Sequence, residues 1–177
     1  MYRGSSFLLQ KDYKIHIPVV EKILRPEYNK LFGIHCSELK KNENLNTLKK
    51  LEENISSYYS EERSKYYTKD LKEEKEVKNK LSSTLITKIL MGTLGCVPAY
   101  DRYFIDGIKS QKVSTGIFNT KSLLLLVDFY EQNEIKLEIE RNKMEVYGLP
   151  YPQMKFLDMG FWYIGYERDP KRSIAAH

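Results

Sequence analysis

Apolar residues along this chain recur mostly at three- and four-residue spacing, the period of a helix with one buried face. Pro18 suits the first turn of a helix over Val19 to Leu24, where its missing N–H costs nothing, and Pro26 restarts the chain for a further turn or two over Glu27 to Ile34. Leu45, Leu48, Leu51 and Ile55 then form one stripe behind a cap at Asn42 or Asn44. From Glu61 to Lys80 the pattern gives way to EERSKYYTKDLKEEKEVKNK, an exposed helix with solvated ion pairs or a connection between two helical halves.

Ser82 or Ser83 caps a helix over Thr84 to Leu94, Gly95 ends it, Pro98 fixes a turn, and a further helix covers Tyr100 to Ile108. Asn119 or Thr120 caps a helix containing LLLLVDFY, apolar nearly all round and therefore central. Between 133 and 147 two patterns compete. Ile135, Leu137, Ile139, Met144 and Val146 alternate like a hairpin around Arg141-Asn142-Lys143, yet the Glu, Lys and Arg content favours a helix, which is the expectation adopted. After Pro150 and Pro152, MKFLDMGFWYIGYE is apolar enough to require burial and closes the core. The pattern predicts an all-α protein, a single compact helical domain spanning 1–177.

Composition changes this picture little. At 177 residues, with 41% hydrophobic and 30% charged residues, the chain is globular. Its net charge of +5 favours acidic partners such as nucleic acid, although solvation alone accounts for so modest an excess. Cys36 and Cys96 belong to no paired motif and read as reduced thiols, and the three histidines are too scattered for a metal finger, so neither metal nor cofactor is expected. MYRGSSFLLQ lacks the apolar core of a signal peptide, and the run Leu123–Val127 is far short of a membrane span. A soluble, cytoplasmic protein without membrane contact is the expectation.

The sharpest candidate for chemistry is Asp101, where a turn opens a helix. Its plain role there is to cap orphan backbone donors; a carboxylate in that place can also stabilise a developing positive charge. The run TLITKILMGTLGCVPAYD resembles the segment of helix-hairpin-helix DNA glycosylases in which a buried helix leads through a short proline-bearing turn to an aspartate. The resemblance implies a glycosylase-like core of orthogonal helices, with Asp101 stabilising the sugar cation or positioning water as a base departs. The glycine-rich hairpin of that family is missing, since EVKNKLSS stands before Thr84, and Ser82 and Ser83 occupy the matched positions of the lysine used by bifunctional members. GTLGCVPAYDRYF together with YPQMKFLDMGFWYIG also resembles an uncharacterised group of bacterial proteins, which implies no mechanism.

Around Asp101, Lys88, Tyr100, Arg102, Tyr103 and Lys109 are the candidate nucleic-acid contacts, by stacking on an extruded base or by holding phosphate; packing beside the turn is the alternative for the aromatic residues. Asp158, between Leu157 and Met159, is expected to be buried with a partner such as Arg102 or Lys155. Tyr58, Tyr59, Tyr66 and Tyr67 with Arg63 form a candidate interaction surface for single strands or protein, or else a tyrosine edge straddling core and solvent. No phosphate loop, serine elbow or cysteine–histidine pair is present. The reading is a nucleic-acid- or nucleotide-binding helical protein that need not be catalytic. The alternatives are a protein-interaction module, including a homodimer, and a monofunctional glycosylase using Asp101.

Overall fold

The structure, a computed structural model, describes residues 12–70 and 81–170, with the side chains of 66–70 outside that description. Among these residues the protein is all-α apart from one very short hairpin. Helix α1 (Ile17–Ile23) carries Pro18 in its first turn, and 3-10 segments at Pro26–Leu31 and Cys36–Lys40 lead to the long α2 (Asn42–Asp70). There follow α3 (Ser83–Thr93), α4 (Arg102–Ser110), α5 (Thr120–Gln132), α6 (Glu134–Asn142) and α7 (Gln153–Glu167). The charged stretch expected at 61–80 is helical as far as Asp70, and 71–80 lies outside the described residues.

Caps fall where short polar side chains stand before apolar periodicity. Ser82 accepts the Leu85 N–H, Asp101 that of Phe104, and Asn119 that of Ser122, each satisfying an orphan donor of the helix it opens. Leu48, Leu51 and Ile55 of α2 enter the core, as the stripe requires, beside Tyr28, Leu31 and Leu39. Leu90, Phe104, Ile108, Leu126, Val127 and Phe161 bring α3, α4, α5 and α7 into the same buried cluster.

The most extensive helix–helix contact is that of α4 with α7. It is a backbone-to-backbone crossing made possible by two glycines. A Cβ on Gly107 would stand 1.9 Å from the carbonyl oxygen of Phe161, and one on Gly165 would stand 1.9 Å from that of Tyr103. Each glycine thus receives a carbonyl from the residue four positions before the other. Phe104 and Phe161 meet edge to face beside the crossing, with centroids 6.1 Å apart.

One expectation needs correcting. The helix expected over 133–147 stops at Asn142, and the chain then forms a hairpin in which Val146 pairs with Leu149 and Glu145 with Pro150. Its turn is Tyr147-Gly148, with φ of 54° and 75°, rather than Arg141-Asn142-Lys143. Two successive positive φ values suit the right-handed twist of a tight hairpin, and Pro150 cannot donate to a continuing helix. α6 is pinned by Glu138, which accepts from the Tyr130 hydroxyl, from Gln153 and from Arg141. Burial opposes ionisation of Glu138, yet the bonds from Arg141, Tyr130 and Gln153 prevail and hold its carboxyl at about 2.

Adding one methyl group at the α4–α7 crossing would force the backbones apart by roughly 1 Å or more to restore van der Waals separation. Gly107→Ala and Gly165→Ala are each expected to destabilise the protein by about 2 kcal/mol or more in urea unfolding. Gly160→Ala, where an added Cβ meets nothing within 4 Å, is the control. It should be neutral or stabilising by up to about 1 kcal/mol.

Candidate functional site

The segment between α3 and α4 is buried continuously from Leu94 to Tyr100, so its backbone groups need internal partners. Gly95 leaves α3 at φ 65°, and a Cβ there would stand 2.5 Å from Pro152 Cγ. Thr87 accepts the Tyr100 N–H at 3.0 Å, and Thr84 donates to the Tyr100 carbonyl at 2.8 Å. From α7, Asp158 Oδ1 accepts the Ala99 N–H at 2.8 Å. Three side chains from two helices therefore fix the loop that presents Asp101.

At the end of that loop, Asp101 caps α4 through Oδ1, 3.2 Å from the Phe104 nitrogen, and pairs through Oδ2 with Lys88 Nζ at 3.2 Å. These groups open onto a cleft of about 600 Å³ lined by Lys88 and Met91 of α3, Ala99 and Asp101 of the loop, and Asp158, Met159, Trp162 and Tyr163 of α7. Four-residue spacing places Asp158 over Trp162 and Met159 over Tyr163 on α7, two adjoining rows that together line the cleft. Trp162 stacks on Tyr166 with centroids 5.0 Å apart and meets Tyr103 edge-on at 5.2 Å. The Asp158 side chain, only 8% exposed, has its carboxyl pushed up to about 6, chiefly by burial and further by the negative charge of Asp101.

The other candidates divide into two groups. Arg102 and Lys109 line a separate groove of about 400 Å³ with Arg168, Asp106 and Asp169. Arg102 pairs with Asp169 at 3.1 Å, and its guanidinium lies 5.3 Å from the Tyr103 ring centroid. The Tyr103 hydroxyl donates to Asp169 at 2.9 Å. Tyr100, by contrast, is turned into the core at 1% exposure, between Phe104 and Phe118, with its hydroxyl 2.9 Å from Ser122. It is a packing residue, and no ligand reaches its ring in this fold. The expected side-chain partner of Asp158 is also replaced: a backbone amide takes that place, because Arg102 faces Asp169 instead.

The tyrosine cluster likewise faces inward where it is described. Tyr59 is buried with its hydroxyl 2.7 Å from His16 Nδ1, and Tyr58 donates to the Ile15 carbonyl at 2.7 Å. Arg63 is half-buried nearby on the same helix, and the side chains of Tyr66 and Tyr67 lie outside the described residues. These tyrosines clamp the segment before α1 onto α2. Both cysteines are buried free thiols whose pKa values burial pushes up to about 12, so neither is poised as a nucleophile. Among the described residues no cluster of His, Cys, Asp and Glu suits a metal ion, and no helix is long and apolar enough to cross a membrane.

Met91, Met159, Trp162 and Tyr163 escaped sequence reasoning because an apolar helix end reads as core. The acid among them, Asp158, stood out in the apolar segment, but the expectation for it was burial with a side-chain partner.

Keeping an ionised carboxylate at Asp158 carries a stability cost. With a folded pKa near 6 and an ordinary value of 3.8, the folded state holds the proton more tightly, so stability falls as pH rises from about 4 to about 6. The shift corresponds to a cost on the order of 3 kcal/mol above that window. Asp158→Asn retains an acceptor for the Ala99 N–H, so unfolding curves should show it more stable than wild type by about 1–3 kcal/mol above pH 6.5, with the gain vanishing near pH 4. An equal or lower stability at neutral pH would contradict this account of the carboxylate. No protein-family model, no curated protein and no solved structure matches this chain.

Proposed function

We propose that the protein binds nucleic acid or a nucleotide, with a base entering the cleft at Asp101. The observation that carries this reading is the convergence of a tryptophan, two methionines and two carboxylates with Lys88 in one cleft. Such a floor accepts a planar ring, and the carboxylates accept hydrogen bonds from ring N–H and amino groups. Arg102, Lys109 and Arg168 lie together along the neighbouring groove and supply phosphate contacts. The reading needs no catalysis. The narrower glycosylase reading adds that Asp101 stabilises positive charge on the sugar; its side chain is partly exposed at the cleft and so can face a ligand.

An interaction module is the second reading, and a different face favours it. Ile135 and Ile139 of α6 are 80% and 54% exposed, and Leu149 and Tyr147 of the hairpin are 72% and 100% exposed. Exposed apolar side chains on two successive elements would suit contact with a second copy of the chain.

Fluorescence anisotropy with labelled single- and double-stranded DNA and RNA across a salt titration tests the first reading. Binding should weaken steeply with salt, and Lys109→Ala should reduce the logarithmic salt slope by about one. Trp162→Ala should weaken binding by about 5- to 100-fold, the range of one lost stacking contact, while Asp101→Asn retains binding. No binding at low salt, with the mass doubled in light scattering, would favour the second reading instead.

A further inference from the structure

We infer that the cleft between α3, the loop that follows it and α7 is selective for an organic cation: the group it receives is a quaternary or protonated nitrogen, seated by Asp158 and Asp101 against Trp162 and Tyr163. The inference rests on the cleft being a ligand site, as the nucleic-acid reading requires, but not on that ligand carrying phosphate.

Charge is the first argument. With both carboxylates ionised, the described residues that line the cleft include two negative groups, Asp101 and Asp158, and one positive group, Lys88. Lys155, on the same helix as Asp158, acts on its carboxyl more weakly than Lys88 does. An incoming anion would meet this excess negative charge, whereas a cation would relieve the repulsion between the two carboxylates that already raises the Asp158 pKa.

Geometry is the second argument. Asp158 is more than nine-tenths buried, and only its Oδ1 is bonded, to the Ala99 N–H. Its Oδ2 has no hydrogen-bond partner among the described residues and is not among their solvent-inaccessible unpaired atoms, so it stands open to the cleft that the side chain lines. A buried carboxylate is costly unless something compensates it. The walls beside it carry aromatic and thioether groups, Trp162, Tyr163, Met91 and Met159. Aromatic faces attract cations through their quadrupole and most strongly where water is displaced, and thioether sulfur is soft and polarisable. Two carboxylates and two aromatic residues around an apolar floor form a site for a cation too bulky to be held by hydration alone.

Trp162 is the only tryptophan in the sequence, so its fluorescence reports on the cleft without any label. Wild-type protein is titrated with choline and, separately, with 3,3-dimethyl-1-butanol, its uncharged isostere, at constant ionic strength. Choline should give a saturable change and the isostere should bind about tenfold more weakly or worse. Asp158→Asn should lose about tenfold in choline affinity or more. Tyr163→Ser, a change at an exposed position that does not endanger folding, should lose about threefold. Lowering the pH from about 7.5 to about 5 should weaken choline binding several-fold in wild type and leave Asp158→Asn unaffected, because Asp158 becomes protonated. Equal binding of choline and the isostere, or no saturable change up to about 100 mM of either, would overturn the inference. The two readings fail separately: choline binding without oligonucleotide binding removes the nucleic-acid reading alone, and the converse removes cation selectivity alone.

Discussion

α4 and α7 touch through their backbones, with Gly107 against the carbonyl of Phe161 and Gly165 against that of Tyr103. That close approach places Asp158 on α7 within hydrogen-bonding reach of Ala99, just before α4 begins. The loop between α3 and α4 is then held by α3 through Thr84 and Thr87 and by α7 through Asp158. Asp101 inherits its position from this arrangement. A wider separation of the two helices would take the Asp158 carboxylate away from the loop.

The same contact explains the electrostatics. Asp158 is close enough to Asp101 to feel its charge, and it is largely buried on the same helix that makes the glycine crossing. Its carboxylate anchors a backbone amide, a task that a neutral amide side chain could perform equally well. The negative charge is therefore not needed to hold the loop. Lys88 compensates part of the local negative charge through Asp101.

Much of the fold was legible in local chemistry. Ser82, Asp101 and Asn119 announced their helices as short polar side chains before apolar periodicity, and Leu48, Leu51 and Ile55 announced the buried stripe of α2. The end of α6 was not legible, because Ile135, Ile139 and Val146 satisfy both periods and only the Tyr147-Gly148 turn decides between them. The site was legible only in its pivot. Asp101 and Lys88 could be singled out from one continuous segment, whereas Trp162 and Met159 reach them through a tertiary contact that no local pattern encodes. Tyr100 illustrates the converse: beside a candidate acid in sequence, it points the other way because successive residues of an extended turn face opposite sides. In the same way Tyr59 looked like part of a surface cluster, but a histidine from a distant segment covers it.

The electrostatics of the cleft depend on a buried carboxylate at Asp158, bonded to the Ala99 N–H and near enough to Asp101 to feel its charge. Carbon-13 NMR titration of the aspartate side-chain carboxyls, assigned with Asp158→Asn, measures that property directly. The account predicts a midpoint for Asp158 of about 6, shifting toward the ordinary aspartate range in Gly165→Ala, where the crossing is forced open. A wild-type midpoint near 4 would mean that the carboxylate is well solvated, and would contradict the crossing as the origin of the cleft.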